Sequence, residues 1–78
     1  MTLNSLLARL CADNLEIRLV TGSVHTELID RVLKGAPLDP RVADYGGYEV
    51  RDIYVDDFYR DHKKDGSIVR IYIIKGGE

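Results

Sequence analysis

Two runs in the C-terminal half restrict this chain more than anything else in it. Residues 48–56 and 67–74 are rich in β-branched and aromatic side chains, and Asp65-Gly66 stands between them as a strong turn pair. Read as an antiparallel hairpin they alternate at period two. Val69, Ile71 and Ile73 form an apolar face on the second strand, matched by Ile53 and Val55 on the first. A sheet with one apolar face needs an apolar surface to lie against. Leu3, Leu6, Leu7 and Leu10 supply it as one stripe of a helix over residues 3–11, with Thr2 placed as its N-cap. The expected fold is therefore α+β: an N-terminal helix packed on a small twisted antiparallel sheet of three to four strands, in a single domain spanning 1–78.

Between these parts, Asp13-Asn14 ends the helix, and Leu15, Ile17 and Leu19 alternate with Glu16 and Arg18 as a half-buried strand. Thr21-Gly22-Ser23 supplies a turn. Residues 26–34 read two ways. Val24, Leu28, Ile29, Val32 and Leu33 make a helical stripe ended by Gly35, which periodicity favours, while the preceding turn invites a returning strand with Asp30 at a sheet edge. Pro37 and Pro40 bound a connector, and residues 41–45 fit one helical turn before Gly46-Gly47.

With 78 residues, 45% hydrophobic and 31% charged, the chain has an ordinary globular balance, and folding buries about 60% of its surface. Thirteen acids against eleven bases give a net charge of −2, so the broad basic surface of a nucleic-acid binder is missing and direct nucleic-acid binding is not expected. The acidity is regional: residues 44–66 hold seven acids and four bases, residues 1–43 five of each. A lone cysteine, Cys11, permits no internal disulfide and suits a reducing cytoplasm as a small buried hydrophobe. No apolar run reaches the roughly 18 residues of a membrane helix, and no signal peptide opens the chain, so a soluble, non-exported protein is expected.

If one face of the hairpin is core, the other presents Tyr48, Val50, Asp52, Tyr54 and Asp56 beside Ile68, Arg70, Tyr72 and Ile74. A second helix over residues 26–34 would make them core. Otherwise they are solvated or meet another chain, for which tyrosine is well suited because it adds large contact area and a polar tip at small entropic cost. Candidate partner-binding residues are Tyr48, Asp52, Tyr54, Asp56, Asp57, Asp61, Arg70 and Tyr72. The acids among them form either a solvated loop or a surface that steers a basic partner, diluted by Arg60, Lys63 and Lys64.

Catalytic patterns are weaker. Tyr54-Val55-Asp56-Asp57 matches the YxDD signature of reverse transcriptase palms, but such a palm needs a far larger fold, and chance explains four residues better. Asp57, Asp61, His62 and Asp65 lack the spacing of EF-hand or two-histidine zinc sites. Cys11 with His25 or His62 is a nucleophile and base only if the fold joins them. No catalytic residue, metal ligand or cofactor is expected, and the protein reads as a non-enzyme.

The run Thr2-Leu3-Asn4-Ser5-Leu6-Leu7, then Ala12-Asp13-Asn14 and Glu16-Ile17-Arg18-Leu19, resembles the opening of short proteins from phages and mobile elements of gut-type bacteria. Tyr48 to Val55 and Ile71-Tyr72-Ile73 resemble their later strands, and the resemblance implies a strand at residues 26–34. The Gly46-Gly47 insertion and the charged loop over 57–66 depart from the pattern. The plan of a helix followed by an acidic antiparallel sheet is also similar to several small anti-CRISPR proteins. What this implies is a non-catalytic inhibitor that binds a host defence protein, with a Cas effector as the candidate partner, in the cytoplasm of a bacterial host. The alternative is a structural or accessory module that homodimerises through its tyrosine-bearing face. Lys75-Gly76-Gly77-Glu78 is similar to the diglycine tail of ubiquitin-like modifiers, but those begin with a β-hairpin and end on glycine, so a frayed terminus is expected here.

Overall fold

A computed structural model describes residues 1–10, 12, 14–33 and 36–75, the side chain of Phe58 excepted. Cys11, Asp13, the far end of the 26–34 segment with Gly35, and the diglycine tail lie outside the described residues. In chain order the elements are α1 (Leu3–Leu7), β1 (Leu15–Val20), β2 (Thr26–Val32), a 3-10 turn (Pro40–Tyr45), β3 (Glu49–Arg60) and β4 (Lys63–Ile74). The fold is α+β and mostly strand. Residues 26–32 are strand rather than helix, paired antiparallel with β1.

The sheet order is β2-β1-β4-β3, and an isolated bridge between Thr2 and Glu49 adds a rudimentary fifth strand on the β3 edge. The sheet is mixed rather than purely antiparallel, because β1 lies parallel to β4. The two apolar strands meet at the centre, with Leu15, Ile17 and Leu19 opposite Val69, Ile71 and Ile73. Charge on the other face favours this direction. The parallel pair sets Glu16 against Arg70, whereas reversing β1 about the Ile17–Ile71 pair would set Arg18 against Arg70, and like charges directly opposite destabilise.

The core is Leu3, Leu6, Ile17, Ile29, Val42, Ile71 and Ile73. Helix α1 is shorter than the leucine stripe suggests, ending at Leu7. Thr2 does cap it: its Oγ1 accepts the Ser5 N–H at 3.2 Å. A five-residue helix is only about 7.5 Å long, while strands of twelve residues run about 40 Å. The outer half of the β3–β4 hairpin therefore extends past the core. Ile53 and Val55, expected under the leucines, are 45% and 62% exposed. The molecule measures 47 × 27 × 18 Å and exposes 5605 Å², above the roughly 4,800 Å² of a compact chain this size.

The hairpin turns at Asp61-His62, both with positive φ (50° and 64°), and not at Asp65-Gly66. Register explains the choice. A two-residue turn at 65-66 would set Ile71 against Arg60, whereas the observed pairing sets Ile53 against Ile71 and Val55 against Val69. One extra residue on β4 near Asp65, at the shift between Phe58 and Tyr59, brings the strands into that register. A second shift, at Arg51, returns Val50 and Tyr48 to the core side, so both pack against the core instead of joining the outer face.

Candidate functional site

The face of the sheet turned away from α1 carries a band of charge crossing all four strands. Glu16 on β1 stands directly between Arg31 on β2 and Arg70 on β4, with Arg18 two residues along its own strand. Its Oε2 accepts from Arg18 Nε at 3.0 Å and lies 3.0 Å from Arg70 Nε, while Oε1 accepts from Arg31 Nε at 3.0 Å and from Arg31 Nη2. Arg70 also donates through Nη1 to Asp56 Oδ2, which extends the band to β3. Glu16 is 1% exposed on a face that no helix covers. The arginine side chains sheathe it, each leaving its own outer part in water. Burial pushes the Glu16 carboxyl upward, but hydrogen bonds from Arg31 and Arg18 and their charges outweigh it, so the group sits below the usual carboxylate range.

Beside this band Tyr54 and Tyr72 meet edge to face, with ring centroids 5.5 Å apart. They line an open groove of about 480 Å³ whose other walls include Asp52, Asp56, Arg70 and, from the β1–β2 loop, His25. Val24 at the rim is 83% exposed. A recess of about 520 Å³ on the α1 side, lined by Leu7, Leu38 and Val42 among others, is the apolar seam between α1 and the 3-10 turn.

The predicted binding residues separate into groups. Asp52, Tyr54, Asp56, Arg70 and Tyr72 come together along the groove. Tyr48 is on the core side, edge to face with Tyr45 at 5.1 Å. Asp57 belongs to the opposite face from Asp56, opposite Ser67 and 3.3 Å from Lys64 Nζ. Asp61 occupies the hairpin turn. Sequence reasoning missed Glu16, Arg18 and Arg31. Alternation already placed Glu16 and Arg18 on the outer face, but only the strand order brings Arg31 and Arg70 against them.

This geometry also bears on the field of the acidic segment. Asp52 pairs with Arg51, Asp56 with Arg70, Asp57 with Lys64 and Asp65 with Arg60. The sequence run of acids is thereby dispersed over two faces and largely compensated. Asp56 and Asp57 point apart and cannot share a metal in the manner of a polymerase palm. Among the described residues, no three His, Cys, Asp or Glu side chains converge to hold a metal ion, and no helix is long and apolar enough to cross a membrane. No protein-family model, curated protein or solved structure matches this chain.

Proposed function

We propose that the protein is a non-catalytic inhibitor that acts by docking on a host defence protein in the bacterial cytoplasm, with a Cas effector as the target class. The observation that supports this reading is the uncovered sheet face, where Tyr54, Tyr72 and Arg70 line one groove. Tyr and Arg are the residues that most often dominate interface energetics. Here they are ordered in advance, the tyrosines by each other and Arg70 by Glu16 and Asp56, which lowers the entropic cost of binding. Contact rests on the aromatic and arginine groups more than on a long-range acidic field, because most of the acids already have basic partners.

Titration of the protein into DNA-cleavage assays of a panel of purified Cas nucleases tests the reading. It expects one effector whose activity falls linearly to an endpoint at a fixed stoichiometry, as a tight inhibitor without turnover requires. Tyr72→Ala and Tyr54→Ala should each weaken inhibition by about 30-fold, the effect of a hot-spot side chain worth roughly 2 kcal/mol. Asp57→Lys, on the other face, should leave it unchanged. Full nuclease activity across the panel at a large excess of inhibitor removes the Cas reading.

A further inference from the structure

The surface most open to pairing is the outer edge of β3. It is one of the two edge strands, and Met1 and Thr2 cover only its beginning, through the Val50 N–H to Met1 carbonyl bond of 2.8 Å and the Thr2–Glu49 bridge. Beyond that point, residues 52–60 run as an uninterrupted strand to the Asp61-His62 turn, since the extra residue at the Phe58/Tyr59 shift lies on β4. This stretch contains neither Pro nor Lys and no bulge of its own, so its guards are the charges of Asp52, Asp56 and Asp57, which a second copy has to accommodate. Ile53, Tyr54 and Val55 within it are 45%, 54% and 62% exposed.

We propose that this edge pairs antiparallel with the same edge of a second copy, with Val55 on the two-fold axis, joining two sheets into one of eight strands. Charge selects that register. Antiparallel pairing about a two-fold axis places one residue opposite its own copy. Centring on Asp52, Asp56 or Asp57 sets identical acids face to face; centring on Tyr54 sets Asp52 against Asp56; centring on Ile53 drives residues 56 and 57 of the second copy onto the start of the edge that Met1 and Thr2 already cover. Centring on Phe58 pairs only residues 56–60 before the strands reach the Asp61-His62 turn. Centring on Val55 sets Tyr54 against Asp56, Ile53 against Asp57 and Arg51 against Tyr59, with no like charges opposed.

The axis stands perpendicular to the sheet, so both copies turn their tyrosine grooves to the same side. The pairing is made by the strand edges and does not rest on what those grooves bind, although it brings Tyr54 and Asp56, which line them, opposite each other across the seam. Sedimentation equilibrium of the whole chain over micromolar to millimolar concentration is expected to show a monomer–dimer equilibrium. Val55→Lys should raise its dissociation constant about tenfold or more, by facing two ammonium groups across the axis, with the circular dichroism spectrum unchanged because Val55 is exposed. In a Cys11→Ser background, Val55→Cys should oxidise to a covalent dimer. Tyr59→Cys should not, because its two copies lie about 26 Å apart in this register. A monomer at every concentration overturns the proposal. So does a dimer that Val55→Lys leaves intact, or one in which position 59 cross-links as readily as position 55.

Discussion

At the scale of single residues, Glu16 carries the largest consequence. A carboxylate removed from water is costly unless it is paired, and breaking a buried pair by deleting one partner typically costs more than the pair contributed. Glu16 is inaccessible, yet its three arginine partners are 29–51% exposed and can rehydrate when it is lost. Glu16→Gln is therefore expected to lower unfolding free energy at neutral pH by about 2 kcal/mol, below the range for fully interior pairs. The pH dependence has a definite sign. Because the folded-state pKa is held below the usual 4.5, the stabilisation is complete above that value and is lost as the pH falls through the lowered one. Denaturant melts from pH 7 down to about 3 should show wild type and Glu16→Gln converging in acid. Parallel curves across that range would mean that Glu16 contributes nothing to acid sensitivity. Asp39 is shifted the same way by the Arg41 backbone N–H and guanidinium, so some acid sensitivity should persist in the variant. The outward position of Glu16 is legible in the alternation of β1, but its burial is not, because the groups that cover it come from β2 and β4.

At the scale of elements, the apolar alternation of β1, β3 and β4 is readable in the sequence, as is the cap of α1, since both depend on neighbours along the chain. The turn is not. Asp65-Gly66 has the better local chemistry for a hairpin loop, but facing Ile53 with Ile71 and Val55 with Val69 overrides it. The consequence is two non-glycine residues in the left-handed region, at Asp61 and His62. That conformation costs an ordinary side chain about 1–2 kcal/mol and aspartate less. His62→Gly should raise stability by roughly 0.5–1 kcal/mol and His62→Val should lower it, as thermal melts can check; stabilisation by valine would rule out the left-handed turn. A second element-level joint lies where α1 meets the end of the 3-10 turn. The Asn4 N–H donates to the Gly46 carbonyl at 3.0 Å and the Leu3 N–H to that of Tyr48 at 2.9 Å, and the Asn4 side-chain amide occupies the space a Cβ on Gly46 would need. Gly46→Ala is expected to push the exposed Asn4 side chain aside at a cost of no more than about 1 kcal/mol, because Gly46 has right-handed helical angles that alanine adopts readily, with Asn4→Ala recovering the loss. Absence of recovery would place the strain elsewhere.

At the scale of the whole molecule, the division of labour between body and hairpin was the least legible feature, since it depends on the length of α1 against that of β3 and β4 and on a parallel pairing of strands distant in sequence. Among the described side chains, the core cluster and the residues packed on it draw from β3 only Val50 and from β4 only Val69, Ile71 and Ile73. The described side chains beyond the Asp56–Ile68 pair add surface rather than core. Its ion pairs, Asp57–Lys64 and Arg60–Asp65, involve exposed groups, and such pairs contribute little. The clearest structural tie is the Asn14 side-chain amide donating to the Ser67 carbonyl at 2.8 Å. Asp56 and Ile68 are directly opposed, so an Asn-Gly loop can join them in place of residues 57–67, with the backbone twist a two-residue hairpin requires. The shortened chain is expected to fold cooperatively and to lose only about 1 kcal/mol, the contribution of one hydrogen bond. It should also be monomeric, because half of the paired edge around Val55 is gone, while the Tyr54–Tyr72 pair and the arginine band remain. A chain that fails to fold after this excision would show that the projecting hairpin stabilises the body through contacts other than those seen here. One that folds and still dimerises would place self-association on another surface.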